Sequence, residues 1–154
     1  MKKSIMLIAA LCMTSVMTFA QKVIRVSTDK TDLVMKVSPK GRLYQVYLGD
    51  KLLNPSDYDN LKWDVYAASD GAVCQRGHEV YATSGAEDFF EPAVAATHAD
   101  GNMTTYLYYK SSEQKAVDGG TETVITLQDK VYPFTVKLHY VAYAKENVIK
   151  AWSE

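Results

Sequence analysis

The chain has 154 residues, 47% apolar and 23% charged, with 17 basic against 18 acidic side chains and a formal charge of −1. That length suits one domain with a proper core and not two, and the composition excludes a disordered chain. The small negative charge excludes electrostatic recruitment of nucleic acid or of an anionic membrane.

Lys2 and Lys3 precede an apolar run over residues 5–17, and Thr18-Phe19-Ala20 offers small residues three and one before a cut that leaves Gln21 first. The pattern predicts a bacterial secretory signal over 1–20 and an exported domain, periplasmic or secreted, over 21–154. The apolar run is too short and wrongly flanked to span a membrane. Leu11 before Cys12 is bulky where a lipidation site carries a small residue, so no anchor is expected. Cleavage removes two lysines and no acid, which takes the formal charge from −1 to −3, and it leaves Cys74 as the one cysteine. A single thiol in an exported protein excludes an internal disulfide and a structural zinc cluster, so stability must come from the core.

Residues 22–26 and 32–37 alternate and are rich in β-branched side chains, which predicts two strands about a turn at Thr28-Asp29-Lys30. Leu33, Met35 and Val37 fall together on one face. Ser38-Pro39-Lys40-Gly41 is a turn by its proline and glycine. Residues 42–48 follow as a strand with Tyr44, Val46 and Leu48 on one face, and Gly49-Asp50-Lys51 is read as the next turn. Residues 54–62 carry no period and are read as a loop. Residues 63–67 suit a short strand, the segment around Cys74 is poorly patterned, and residues 84–92 are a second long loop.

A hairpin is expected next, pairing residues 93–97 with 103–109 across Ala99-Asp100-Gly101-Asn102, since Asp-Gly is a hairpin signal. Residues 111–120, polar with a double glycine, are read as a loop. Val124-Ile125-Thr126-Leu127 leads to a polar break and then to a long alternating run. There Phe134, Val136, Leu138, Tyr140 and Ala142 share one face, the mark of a half-buried antiparallel strand. Residues 147–154 begin another strand that stops at the last residue. About nine short strands, frequent turns and no sustained helical period predict an all-β fold, an antiparallel β-sandwich.

Chemistry-bearing clusters are sparse. Glu87, Asp88 and Glu91 are the densest carboxylates, and glycosidase pairs need separations of about 5–10 Å that neighbours in a loop meet by accident. Acids capping local amides near Pro92 account for them. His78, His98 and His139 are the three histidines, no two at ligand spacing, so no metal is assigned. No Gly-x-Ser-x-Gly elbow or phosphate-binding glycine loop occurs, and nothing implies a cofactor. Asn102-Met103-Thr104 matches a glycosylation acceptor by chance behind a bacterial signal. The tyrosines lie mostly in strands. Tyr108 and Tyr109 must point to opposite faces, so one of them faces outward, and an exposed aromatic face implies a docking surface or a carbohydrate platform.

Three segments carry a resemblance. The first is residues 43–53. The second holds Tyr81, Gly85, Asp88, Phe89, Pro92 and Ala93, matching a Tyr-x-x-x-Gly-x-x-Asp-Phe loop that leads to Pro-Ala. The third holds Thr126, Leu127, Asp129, Val148, Ile149 and Trp152. In order and spacing they resemble the N-terminal domain of family 36 glycoside hydrolases, the bacterial α-galactosidases or melibiases. Phe90-Glu91 departs from the arginine that many members carry after Asp-Phe.

The resemblance implies a large β-sandwich packed on a (β/α)8 barrel. That barrel holds the two catalytic carboxylates and removes terminal α-linked galactose with retention, and none of it lies in this chain. Partners implied are therefore the parent's barrel and, through it, an α-galactoside oligosaccharide. Tyr81, Gly85, Asp88, Phe89, Pro92, Asp129 and Trp152 are motif positions read as structural, and no catalytic, cofactor or metal residue is assigned. The strand that stops at Glu154 is expected to mark a sandwich incomplete at its C-terminal end, inactive by itself. A free-standing carbohydrate-binding or interaction sandwich is the alternative, since fold alone does not fix function.

Overall fold

The computed structural model describes residues 22–62, 79–85 and 91–154. Seven strands and one short helix occur among them: β1 (Val23–Ser27), β2 (Thr31–Val37), β3 (Leu43–Asp50), α1 (Pro55–Asn60), β4 (Leu107–Val117), β5 (Gly120–Asp129), β6 (Thr135–Tyr143) and β7 (Val148–Ser153). They form two antiparallel sheets, ordered β1-β2-β3 and β4-β5-β6-β7. The all-β sandwich expected from the strand patterns is the observed architecture.

The core lies between the sheets. Ile24, Val26, Leu33, Met35 and Leu43 from one sheet meet Leu107, Ile125, Leu127, Val136, Leu138 and Ala142 from the other, with Phe134 and Tyr140 packed at the margin. Each buried aliphatic side chain of this kind contributes about 1.5–3 kcal/mol relative to exposure. Backbone bonds join the layers: Tyr109 N–H donates to Gly41 O at 2.8 Å and Asp29 N–H to Ala144 O at 3.1 Å. The Gln114 side chain adds a bond to Arg25 O at 2.9 Å.

Several expectations are corrected. Residues 54–62 contain α1, not only loop. Asn54 precedes a proline at the first helical turn, and its N–H reaches the Asp57 carboxylate at 3.3 Å, a capping arrangement that needs no apolar period. The 111–120 loop is instead most of β4 and its hairpin. Val117 pairs with Gly120 across Asp118-Gly119, with Gly119 at φ +72°, and β4 reads as polar because it is an edge strand with one face in solvent.

The 93–109 hairpin keeps its turn, closed by Gly101 N–H to His98 O at 2.9 Å, but not its ladder. Ala93 N–H bonds Ala82 O, and Thr105 N–H bonds Ser84 O, so both arms dock on residues 82–84. The Gly49-Asp50-Lys51 turn is replaced by continued pairing, since Gly49 and Asp50 face Asp32 and Thr31.

The face assigned to Tyr44, Val46 and Leu48 also fails. Val34 pairs with Tyr47 and Met35 with Gln45, so Val46 is an extra residue in a bulge. The bulge reverses the alternation: Leu43 enters the core and Leu48 stays 60% exposed. Leu33 and Met35 do lie in the core, with Val37 packed against it. The expectations for 63–67 and for the segment around Cys74 and His78 lie outside the described residues.

Candidate functional site

Asp129 ends β5 and organises the turn into β6. One carboxylate oxygen accepts the N–H groups of Val131 (2.7 Å) and Tyr132 (3.1 Å), and the other accepts that of Tyr106 (2.7 Å). Burial pushes this carboxyl up, but the three amides outweigh burial and hold it below the ordinary aspartate range. The clamp ties the β5–β6 turn to the segment entering β4.

Tyr132 is held on two further sides. Its ring stacks on His98 with centroids 3.5 Å apart and planes 5° from parallel. Its hydroxyl donates to Asp100 at 2.9 Å and accepts the Asn102 amide at 2.8 Å. The Asp100-Gly101-Asn102 turn is itself closed, since Asn102 N–H reaches Asp100 Oδ1 at 3.0 Å and Thr104 N–H reaches Asn102 Oδ1 at 2.9 Å. His98 Nε2 lies 3.0 Å from Thr105 Oγ1, and Phe134 meets the imidazole edge-on at 6.1 Å.

Across from Tyr132, Tyr106 and Tyr108 share a face two residues apart and complete a groove of ≈ 330 Å³. Lys130 Nζ sits 3.9 Å from the Tyr108 ring centre. Behind these rings lies the buried guanidinium of Arg42, 5.7 Å from Tyr106 and 5.6 Å from Tyr108. Glu79 takes its Nη2 at 2.8 Å, and the other Glu79 oxygen lies 2.7 Å from Nε but off the line of that N–H. The groove is thus aromatic, with neutral polar groups at its rim, the Asp129 carboxylate committed to three amides and the Lys130 ammonium lying over the Tyr108 ring.

A second polar cluster covers the outer face of the four-stranded sheet. Glu122 lies 2.8 Å from His139 Nδ1 and 2.9 Å from Lys115 Nζ, and these contacts, the imidazole's first, lower its pKa. Trp152 stacks on His139 at 4.8 Å, and Glu154 reaches His139 Nε2 at 3.3 Å. His139, expected on the face opposite Phe134, is there and half-buried.

The motif residues do not converge on one pocket. Asp129 builds the groove. Gly85, at φ +75°, passes against Thr104, whose Cα lies 2.9 Å from where a Cβ would sit, so no larger residue fits beside the groove wall. Tyr81 packs against the core and reaches Ser153 Oγ at 3.4 Å, while Trp152 lies on the outer face, 41% exposed. Pro92 is half-buried and Glu91 exposed; Glu87, Asp88 and Phe89 lie outside the described residues. Among the described residues no group of three or more His, Cys, Asp or Glu is arranged to hold a metal.

Sequence reasoning missed Tyr132, His98 and Asn102 as a unit, because their contacts join a turn to a strand end about 30 residues away. The i, i+2 spacing of Tyr106 and Tyr108 was the available signal. Of the adjacent pair, Tyr108 is the tyrosine that lines the groove, and Tyr109 packs toward the core.

Comparison with solved structures supplies the fold relatives. The α-galactosidase from Lactobacillus brevis superposes with a TM-score of 0.70 at 20% identity, covering 88% of this chain and 21% of that one. The GH36 α-galactosidase AgaA from Geobacillus stearothermophilus, a variant solved with raffinose, gives 0.66 at 23%, covering 86% and 21%. AgaB from the same organism gives 0.62 at 24%, with the same coverage. The chain therefore spans about a fifth of the length of these structures. Comparison with curated protein sequences finds no match. A family model described as the glycosyl hydrolase family 36 N-terminal domain matches residues 41–154. The match includes the Asp129 clamp, the tyrosine groove and the whole four-stranded sheet, and by it this chain belongs to the glycosyl hydrolase family 36 N-terminal domain family.

Proposed function

We propose that this chain is the accessory β-sandwich of an exported α-galactosidase-like glycoside hydrolase, seated beside a catalytic barrel that removes terminal α-linked galactose. The observation that carries this reading is the family match over residues 41–154. It is supported by neighbours named as α-galactosidases, in which a chain of this kind accounts for 21% of the length. Raffinose and stachyose, the oligosaccharides in two of the AgaA structures, support α-galactoside oligosaccharides as the substrate class. The sandwich contributes rigidity and docking surface, and the chemistry belongs to the barrel.

The test is enzymatic. The purified 154-residue chain should leave a chromogenic α-galactoside unhydrolysed, and the longer protein containing it should hydrolyse the same compound. Turnover by the chain alone sinks the accessory role. Export rests on Lys2-Lys3, the apolar run and the Ala20 site. Amino-terminal sequencing of protein from the periplasm or medium should begin at Gln21, and an intact Met1 on mature protein would refute cleavage.

A further inference from the structure

We propose that the groove beside Tyr132 is a binding subsite for a neutral galactose-containing oligosaccharide, with a pyranose ring stacked on the tyrosine. The substrate class rests on the reading above; the subsite itself rests on the side-chain geometry.

Tyr132 lines the groove and His98 does not, so the imidazole at 3.5 Å backs the ring from the far side. Asp100 and Asn102 pin the hydroxyl, and Asp129 fixes the backbone leading into Tyr132 by holding its N–H and that of Val131. A tyrosine restrained at one face, at its tip and at its main chain has already lost its rotamer freedom. A ligand stacking on the remaining face meets little further ordering cost. Tyrosine is suited to this use, since its ring offers an apolar face at low entropy cost while its tip stays polar.

The groove's chemistry selects the ligand. A pyranose is neutral, with an apolar C–H face and a rim of hydroxyls. Asp129 is committed to three amides, so a cationic ligand meets no free carboxylate from it. The walls are aromatic faces that suit an uncharged ring, with the exposed Lys130 ammonium lying over the Tyr108 ring. Tyr106, Tyr108 and Asn102 bring hydroxyl and amide groups for sugar hydroxyls. A volume of ≈ 330 Å³ is on the scale of small-molecule sites.

The experiment is a titration of the 154-residue chain with raffinose and stachyose, followed by calorimetry and by NMR of the tyrosine ring resonances. Saturable binding with a Kd on the order of 1 mM is expected, with ring shifts at Tyr132 and at Tyr106 or Tyr108. Tyr132→Ala should weaken binding about tenfold, and Tyr132→Phe, which keeps the stacking ring, by clearly less. No saturable binding by a folded chain overturns the subsite, as do shifts confined to other residues or equal affinity in Tyr132→Ala. Should Tyr132→Ala fail to fold, the ring shifts in the unaltered chain decide. Absent binding beside α-galactoside hydrolysis by the longer protein would overturn the subsite and leave the accessory reading standing.

Discussion

On the outer face of β2, Lys36 is 1% exposed, and its ammonium donates to the carbonyls of Asp59 at 3.1 Å and Leu61 at 2.6 Å. On the outer face of β4, Lys115 keeps 59% of its side chain in solvent and meets Glu122 at 2.9 Å. The same residue type thus plays two parts in one sandwich. Helix α1 lies over the three-stranded sheet and buries β2 on both faces, so Val34, Asp32 and Lys36 are all enclosed. Its Tyr58 donates to Asp32 at 2.6 Å and lies under the Arg25 guanidinium at 4.6 Å. The outer face of the four-stranded sheet carries a network of His139, Glu122, Lys115 and Trp152 in which Glu122 is 7% exposed while Lys115 and Trp152 reach water. The difference teaches that a polar group's structural weight follows what covers it: an enclosed one must be satisfied internally, while an exposed one has water as a substitute.

Substitutions test that contrast, and the largest effect belongs to the shared core. Met35 is 0% exposed, and Met35→Ala should cost about 2–5 kcal/mol in urea unfolding. Lys36→Met removes the donor to two carbonyls at the end of α1 and should cost about 1–3 kcal/mol. Lys115→Met, by contrast, should leave the melting temperature unchanged, and equal losses in the two lysine variants would erase the comparison. Tyr58→Phe keeps the ring under Arg25 and deletes the bond to Asp32, for a loss of about 1 kcal/mol.

Acid sharpens the same contrast. Burial pushes the Asp32 carboxyl up, but hydrogen bonds from Ser27, Tyr58 and the Leu52 N–H, with the charge of Lys51, outweigh it and hold the carboxyl low. A depressed folded value stabilises fully above the unfolded value of about 3.9, and that stability is lost as pH falls through the folded value. Asp32→Asn should therefore flatten the decline in melting temperature below about pH 4, and an unchanged acid limb would remove Asp32 from the account. Glu122 is lowered first by His139, 13% exposed, and then by Lys115, 59% exposed, so molar salt should weaken the Lys115 share and leave that of Asp32 standing. Trp152→Ala, on the open face at 41% exposure, should have the smallest thermal effect and be read instead by the loss of its stacking on His139.

Alternation and turn chemistry in the sequence determine much of this protein. The β5–β6 pair was legible because Val136, Leu138 and Ala142 must share a face when the period is two. The 38–41 turn followed from Pro39 and Gly41, and the resemblance carried by the three segments agrees with the family model over residues 41–154.

Only the tertiary structure decided the rest. Val46 bulges because the register with β2 demands an extra residue, and no local pattern records that. Helix α1 exists where a buried Tyr58 and the Lys36 ammonium hold six residues that carry no apolar stripe. The groove arises because the Asp129 carboxylate gathers amides from two segments, bringing Tyr132 and Tyr106 from separate parts of the chain to one cleft. Periodicity is a local property written residue by residue. Burial and convergence depend on contacts between distant segments, and those exist only once the chain has folded.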